Sequence, residues 1–359
     1  TDSLTINAGQ GAGQIGSITG DAYTKLYITG VGADATFNAG LLGGDILMDG
    51  AAVNVDDDLI FNAPAGAVSL VDAPLSGDML TATALNGFNA SSSDTSGDLH
   101  LTTALNRVDI QVTGTGDLLL SNNGTLQIDH LLAADGSISL INWGDATVPF
   151  DNDLVLSASA TMDLIVRGAF NVATGIIIHA DTLNVEAGNA QQLNVDVNSI
   201  GVKALNSGDV SIVSQRATTL VLDGFEVMGG NLEIIHLNGD LNLVDVVLGS
   251  NEAGLAASIL ASGNIQVGWI RAGHYFTDPN HPMLIANVAD AAAAAVTYGV
   301  PVEVGVSSNI DVVLISQNGS ITEFGTDAAV DLVADQVRLT ALNGITGLEI
   351  AANGLEYVS

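Results

Sequence analysis

The stretch "GGNLEIIHLNGDLNLVDV", Gly229 to Val246, contains one short phrase twice. Each copy is a glycine, a small polar residue and an apolar–polar–apolar triplet, first at 230–234 and again at 239–243. Alternation with a period of two predicts a β-strand with one buried face. Glycine before the strand allows positive φ at a corner, and Asn or Asp beside it bonds the turn backbone. The stretch therefore predicts a turn and a short strand, repeated.

The same phrase recurs through the chain, beginning at Gly44, Gly97, Gly116, Gly136, Gly208, Gly263 and Gly319. A second phrase, Thr83-Ala84-Leu85-Asn86, returns at 103–106. Several neighbouring copies are 19 to 24 residues apart, as at 97, 116 and 136, at 208 and 230, and at 239 and 263, and the second phrase keeps a spacing of 20. Such a self-similar period is typical of a solenoid. The coils of a solenoid bury their apolar faces only by stacking on one another.

These observations predict an all-β protein, a parallel β-helix (β-solenoid) formed as a single domain over residues 1–359. At roughly 21 residues per coil, the 359 residues would form about 17 coils. An antiparallel sandwich is the alternative, since it also has short, regularly spaced strands. The repeat of side chains at like offsets favours coils. Asn86 and Asn106 would either form a ladder of bonded amides or serve only as residues that tolerate left-handed corners.

Composition restricts the partners and the location. The chain has 40 acidic and 7 basic residues and a net charge of −33. This charge argues against nucleic acid, whose phosphates need Lys and Arg, and against anionic lipid. The hydrophobic fraction of 47% argues against a disordered acidic chain. No apolar run is long enough to predict membrane insertion, and there is no cysteine for a disulfide or thiolate site.

Three stretches resemble the degenerate coils of filamentous-haemagglutinin-type exoproteins and related autotransporter passengers: residues 262–273, residues 337–346 and "GQGAGQIGSITG" at 9–20. The resemblance implies a right-handed parallel β-helix, an exported bacterial cell-surface protein and an adhesive or fibrous role. It implies no catalytic residue. The secretion-signal region of that family is not recognisable here, which suggests an internal stretch of a longer protein.

The repeat is interrupted at residues 273–301, where we predict a loop and a short helix on the flank of the solenoid. The helix would run from Met283 to Tyr298, after Pro282 and before Gly299. Insertions in repeat proteins often carry binding groups. The candidate binding residues here are Trp269, His274, Tyr275, Phe276, Asp278 and His281.

Two hypotheses explain this insertion. The aromatic residues recognise a surface glycan or a receptor, with His274, Asp278 and His281 able to hold a metal. Alternatively, Tyr275 and Phe276 attach the loop to the solenoid while the histidines are solvated. The second hypothesis is favoured, and the spacing provides no third strong zinc ligand.

No cofactor is required by any pattern in the chain. Weak Ca²⁺ binding at turn aspartates is expected, although Asp56, Asp57 and Asp58 read more simply as a solvated turn. The string at 194–201 lacks the closing glutamate of an EF-hand, because position 205 is leucine. A polysaccharide lyase or hydrolase is the third hypothesis for function, but no carboxylate pair is selected by spacing and no catalytic residue is assigned.

Strand-like phrases occur close to both ends of the sequence, with Leu4 and Ile6 in one and Leu355, Tyr357 and Val358 in the other. A bare last coil would expose unpaired backbone groups and an apolar core. We therefore expect either a longer native chain or head-to-tail stacking of copies into a filament. The leading hypothesis is a structural extracellular solenoid, a segment or subunit of a cell-surface fibre, sheath or adhesin that assembles end to end.

Overall fold

The computed structural model describes residues 3–7, 18–20, 27–30, 34–39, 44–49, 52–91, 103–149, 151, 155–188, 191–204, 206, 208–249, 255–276, 283–285, 310–325 and 330–358. All regular elements among these residues are β-strands, and none of them forms a helix long and apolar enough to cross a membrane. The chain divides into two compact units, Thr1–Val185 and Glu186–Ser359. The prediction of a single domain stays a prediction.

Most strands of the first unit are short. They are β1 (Ser3–Asn7), β2 (Ile18–Gly20), β3 (Tyr27–Gly30), β4 (Asp34–Asn38), β5 (Ile46–Asp49), β6 (Ala52–Val55), β7 (Leu59–Ala63), β8 (Val68–Val71), β9 (Leu75–Ala84), β10 (Phe88–Ala90), β11 (Thr103–Thr115), β12 (Leu118–Asn122), β13 (Leu126–Asp135), β14 (Ile138–Asn142), β15 (Ala146–Val148), β16 (Leu156–Ala158), β17 (Thr161–Val166), β18 (Phe170–Val172), β19 (Ile177–His179) and, across the boundary between the units, β20 (Thr182–Ala187).

The second unit contains strands of the same kind. They are β21 (Gln191–Asp196), β22 (Ser199–Ala204), β23 (Val210–Ser214), β24 (Leu220–Leu222), β25 (Phe225–Met228), β26 (Leu232–His236), β27 (Leu241–Leu243), β28 (Val246–Gly249), β29 (Leu255–Ala261), β30 (Ile265–Val267), β31 (Ile270–Phe276), β32 (Met283–Ile285), β33 (Ile310–Ser316), β34 (Ile321–Glu323), β35 (Leu332–Ala341), β36 (Ile345–Thr346) and β37 (Ile350–Val358).

Strands pair in parallel with the equivalent strand of the next turn. In the first unit β14 pairs with β17, β15 with β18 and β16 with β19, so one turn contributes three strands. In the second unit β26, β27 and β28 pair with β29, β30 and β31 in the same way. The predicted parallel β-solenoid is confirmed, and the antiparallel sandwich is wrong. Right-handed winding stays a prediction.

The described residues form about 11 turns, and the expected number of about 17 is not confirmed. Two features of the strand pairing make the number of turns smaller than expected. Some turns are longer than the repeat predicts, since Ile138 pairs with Met162. In the second unit Leu255 pairs directly with Ile310, so the long segment between them contains the rest of one turn and the insertion.

The core of each turn is built from alternate side chains. In β7, β14 and β23 the first, third and fifth residues are buried and the others are partly exposed. Stacked turns place like side chains against each other. Phe37 and Phe61 are paired in register, with ring centroids 5.0 Å apart and an angle of 7° between the planes. The alternation seen in the sequence therefore specifies the buried columns of the solenoid.

The corners before the strands explain the Gly-Asp phrase. The carboxylate of Asp209 accepts hydrogen bonds from the backbone N–H of Asn231 at 2.8 Å and from its side-chain amide at 3.0 Å. The backbone N–H of Ala67 donates in the same way to Asp45, at 2.8 Å. These acceptors lie one turn away from their donors. The corner aspartates therefore connect neighbouring turns of the solenoid.

An asparagine ladder is present, but in a different pair from the one predicted. Asn106 donates to the carboxylate of Asp78 at 3.0 Å, so a ladder between Asn86 and Asn106 is wrong. The register of β11 on β9 places Leu105 opposite Gly77, and thus Asn106 opposite Asp78. Instead, the amide of Asn122 donates to Asn142 at 3.0 Å. Both side chains are fully buried.

The interruption of the repeat begins inside β31. The last residues of β31 pair antiparallel with β32, with Tyr275 opposite Leu284. The predicted helix is therefore wrong at residues 283–285, because pairing with β31 gives these residues a strand conformation. The rest of that helix, residues 286–298, lies outside the described residues.

Candidate functional site

The outer layer of the second unit, β36 and β37, is the candidate functional site. Its side chains continue the buried columns of the layer beneath. Val337 pairs with Leu355 and Leu339 pairs with Tyr357. Val337 and Leu339 are each 1% exposed, whereas Leu355 is 53% exposed and Tyr357 is 68% exposed. The apolar columns of the core therefore reach a surface without being covered there.

The two other columns of this layer end in the same way. Ile321 and Leu332 are fully buried, while their partners in the outer layer, Ile345 and Ile350, are partly exposed. Within the described part of the chain, β37 pairs with β35 and with no other strand. One edge of β37 is thus open to a further parallel strand. Val358, also predicted as an assembly residue, is exposed on the same strand.

Leu4 and Ile6, the other predicted assembly residues, lie in β1, which pairs in parallel with β4. Leu4 is opposite Ala35 and Ile6 is opposite Phe37, and both of these partners are fully buried. The register therefore places Leu4 and Ile6 on core columns of the first unit. The placement of their side chains lies outside the described residues.

Three carboxyl groups lie beside the outer layer of the second unit. One oxygen each of Glu323, Asp331 and Glu349 lies within 4.8 Å of the other two. Asp331 is 3% exposed, and its carboxylate accepts the backbone N–H of Glu349 at 2.9 Å. In return, the backbone N–H of Asp331 donates to the carbonyl of Glu349 at 2.9 Å. We call these three residues the corner carboxyl cluster.

The pKa of Glu349 is raised. The first cause is loss of water contact at its carboxyl group, followed by a hydrogen bond with the carboxyl group of Asp331 and the negative charges of Asp331 and Glu323. Glu349 as a residue is exposed, so its loss of water is partial. Two carboxyl groups that bond to each other need one shared proton. The neighbouring acids of this corner therefore act on Glu349 in the same direction, toward a higher pKa.

A second group of acids lies in the first unit, at the predicted solvated turn. Asp57 and Asp58 lie close to Asp34, and the backbone N–H of Asp58 donates to the carboxylate of Asp34 at 3.3 Å. The pKa of Asp58 is raised by burial and then by the neighbouring acids, against a lowering by Arg107. Ca²⁺ binding at these turn aspartates stays a prediction.

The predicted binding residues of the insertion are only partly brought together. Trp269 lies at the corner before β31, and the guanidinium carbon of Arg271 is 4.0 Å from the centroid of its ring. His274, Tyr275 and Phe276 follow in β31, but their side chains lie outside the described residues. Asp278 and His281 also lie outside them, so the metal hypothesis stays a prediction.

Arg271 was not singled out by the sequence. It lies close enough to Asp245 to lower the pKa of that carboxyl group, although burial first and then the charge of Asp223 raise it overall. The stack of Arg271 on Trp269 holds the indole ring against the solenoid. This arrangement fits a structural role for Trp269.

The corner carboxyl cluster was also missed, although a signal for it exists. Asp331 and Glu349 each precede an apolar residue that starts a strand, and those residues, Leu332 and Ile350, pair in register. The two acids are therefore separated by one turn of the solenoid. Aligning the coils on the residue before each strand would have placed them together.

Comparisons with known proteins give no further assignment. A scan against protein-family models, a search of curated proteins and a search of solved structures each found no match.

Proposed function

We propose that this chain is a structural β-solenoid, a segment or subunit of an extracellular bacterial fibre, sheath or adhesin that associates end to end. The observation that carries the proposal is the outer layer of the second unit, where Leu355 and Tyr357 continue buried core columns but are exposed. Burying such side chains under a further coil is favourable by about 25 cal/mol per Å² of apolar surface.

The occupant that we propose is a second copy of this chain. Each unit of the chain is itself a stack of parallel coils, so a coil of a second copy offers both parallel backbone pairing and apolar columns. A contact between unlike surfaces of two copies does not close on itself and generates a filament. The net charge of −33 opposes this contact, so added salt or divalent cations should strengthen association by screening repulsion.

The location and the family are part of the same proposal. The resemblance of residues 262–273 and 337–346 to exported filamentous-haemagglutinin-type coils supports a cell-surface protein. The absence of cysteine is compatible with export without oxidative folding. The proposal assigns no catalytic residue, no cofactor, no nucleic-acid partner and no insertion into a membrane.

Sedimentation velocity of the 359-residue chain at increasing concentration in high salt tests the proposal. We expect association that Leu355→Lys or Tyr357→Lys weakens at least about tenfold, because an unpaired ammonium would be buried at the contact. Leu237→Lys is the matched control, since Leu237 is an exposed leucine of the same unit at a corner beside β26. A monomer at all concentrations, or equal effects of the three variants, would contradict end-to-end association.

Recognition of a glycan or receptor by residues 269–298 is the second candidate. The observation that favours it is the hairpin of β31 and β32, which leaves the parallel stack shortly after Trp269. If this candidate holds, Trp269→Ala should abolish binding on a glycan array while leaving sedimentation unchanged. Binding that survives this substitution would remove Trp269 from the site.

A further inference from the structure

Asn-Gly pairs occur at corners of the solenoid. The chain contains six of them, with the asparagines at 86, 123, 238, 318, 343 and 353. In such a pair the backbone nitrogen of the glycine can attack the side-chain carbonyl carbon of the asparagine, because the two groups are held close together and glycine has no side chain to shield its nitrogen. The reaction needs an asparagine amide that can turn and a glycine N–H that is not hydrogen-bonded. The local structure therefore decides which pair reacts.

The pair Asn123-Gly124, in the corner between β12 and β13, meets both conditions. Asn123 is exposed, and its side-chain amide makes no hydrogen bond to the described residues. The backbone N–H of Gly124 likewise has no partner among them. A Cβ added to Gly124 would meet nothing within 4 Å, so this side of the glycine faces open space. Neither the attacking nitrogen nor the amide under attack is therefore held away from the other by a contact.

Three other exposed asparagines of Asn-Gly pairs each lack one of these conditions. The side-chain amide of Asn238 donates to a backbone carbonyl one turn away at 3.0 Å, and that of Asn343 donates to another at 2.9 Å. Beside Asn318, the backbone N–H of Gly319 donates to the hydroxyl oxygen of Ser316 at 3.1 Å. Each of these hydrogen bonds must break before the ring can close, which should slow the reaction by about fivefold to tenfold.

The pair Asn86-Gly87 is restricted by packing instead. Gly116 of the next turn lies so close that a Cβ added to it would be 2.6 Å from the nitrogen of Gly87. This nitrogen is therefore partly covered by the neighbouring main chain. The side chain of Asn353, in the sixth pair, lies outside the described residues.

We propose that Asn123 is a site of spontaneous covalent modification, at which its amide is converted to a carboxylate through a cyclic imide formed with Gly124. The nitrogen of Gly124 loses its proton and bonds to Cγ of Asn123, while the bond from Cγ to the side-chain nitrogen breaks. That nitrogen takes up a proton and leaves as ammonia. Solvent water then opens the ring at either carbonyl, so the product is aspartate or β-linked isoaspartate. The reaction requires water and no oxidant, reductant or second protein.

The modification changes the first unit in two ways. Both products add a negative charge at an exposed corner. The β-linked product also lengthens the main chain by the Cβ atom of residue 123, directly after Asn122. The buried amide of Asn122 donates to Asn142 at 3.0 Å, and its carbonyl accepts the backbone N–H of Trp143 at 3.0 Å. The longer main chain should disturb these contacts between turns, so the isoaspartate form should be less stable than the aspartate form.

The test incubates the full chain in mildly alkaline buffer, which favours loss of the proton from the attacking nitrogen, and measures the conversion of each asparagine by peptide mass spectrometry at successive times. In the folded chain we expect Asn123 to react at least about fivefold faster than Asn238, Asn318 and Asn343. In guanidinium chloride, which removes the hydrogen bonds of the folded state, the four rates should become similar. Equal rates in the folded chain, or a lead of Asn123 that persists unchanged in the denaturant, would overturn the inference.

Ser316→Ala tests directly whether hydrogen bonding sets these rates. The variant removes the acceptor of the glycine N–H beside Asn318, and alanine already occupies the positions stacked on either side, Ala261 and Ala341, so the fold should be retained. Asn318 should then react about fivefold to tenfold faster, whereas Asn238 is the matched control and should keep its rate. An unchanged rate at Asn318, in a variant with an unchanged β spectrum, would show that hydrogen bonding does not protect these pairs and would also overturn the inference.

Discussion

The glycine of the repeated phrase is required by close packing between turns, in addition to any need for positive φ. A Cβ added to Gly230 would overlap the backbone carbonyl of Gly208, and Gly66 and Gly136 meet Gly44 and Gly116 in the same way. Glycines with φ in the left-handed region also occur at corners, including Gly224 at 69°. The sequence predicts the positive φ of corner glycines but not the close packing, because a local phrase contains no information about contacts between turns.

Gly230→Ala should therefore destabilise the second unit, because the methyl group has no space against the carbonyl of Gly208. We expect the free energy of unfolding to fall by about 1–3 kcal/mol. Glu233→Ala, an exposed position on the adjoining strand β26, is the control and should change it by less than about 0.5 kcal/mol. Urea unfolding measures both, and an unchanged midpoint for Gly230→Ala would contradict the close approach.

The burial of His236 affects how the stability of the second unit responds to acid. Its side chain is fully buried, its Nε2 lies 2.9 Å from the carbonyl of Thr218, and its Nδ1 has no partner among the described residues. Burial lowers the pKa of His236, against smaller raising effects of that carbonyl and of Asp240. The folded state thus favours the neutral ring. The free energy of unfolding is therefore not reduced by His236 above the unfolded pKa of about 6.5, where the ring is neutral in both states. It decreases as pH falls from there toward the lowered folded pKa, because the unfolded state then binds the proton more readily.

The contribution of His236 should lower the urea midpoint of the second unit as pH decreases from about 7.5 toward about 5, whereas the raised pKa values of Asp245 and Glu349 act in the opposite direction. His236→Gln should lower stability at neutral pH but remove part of this pH dependence, because glutamine has no titrating ring. His179→Gln is the control, since His179 is exposed on β19. A pH dependence that is identical in the unaltered chain and in His236→Gln would show that the buried ring does not titrate.

The strands were largely predictable because their alternation is a local property. In β27, Leu241 and Leu243 are fully buried and Asn242 between them is partly exposed, as the pattern indicates. The pairing between strands was less predictable. Asn106 meets Asp78 rather than Asn86 because turns of unequal length shift the register from one coil to the next. A single fixed period cannot reproduce such shifts.

The buried face of β27 gives a direct test. Leu243→Asp should cost several kcal/mol, because a carboxylate would enter the apolar core without a partner. Asn242→Asp on the same strand adds the same charge at a partly exposed position and should cost far less. Thermal unfolding followed by circular dichroism compares the two. Similar losses for both variants would mean that β27 does not have a distinct buried face.

At the scale of the whole chain, part of the candidate site could be predicted from the sequence. Leu355, Tyr357 and Val358 were recognised because the apolar alternation continues to them, and their exposure agrees with an uncovered layer. The corner carboxyl cluster was missed because its members, at 323, 331 and 349, are distant in sequence and come together only through stacking. The residues of the insertion were recognised by composition, which does not determine their contacts.

The insertion provides the last prediction. Leu255 pairs with Ile310 and Ala261 pairs with Ser316, so the turns before and after the insertion already contact each other in register. Replacing residues 276–298 by a short Gly-Ser bridge should therefore leave the second unit folded, with an unchanged β spectrum and a cooperative transition. The variant should also associate as the intact chain does, because the outer layer at β37 is retained. An equal-length Gly-Ser replacement of 241–249, which removes β27 and β28, is the control and should unfold the unit. If the deletion of 276–298 unfolds it too, those residues belong to the core, and recognition by an independent insertion loses its basis.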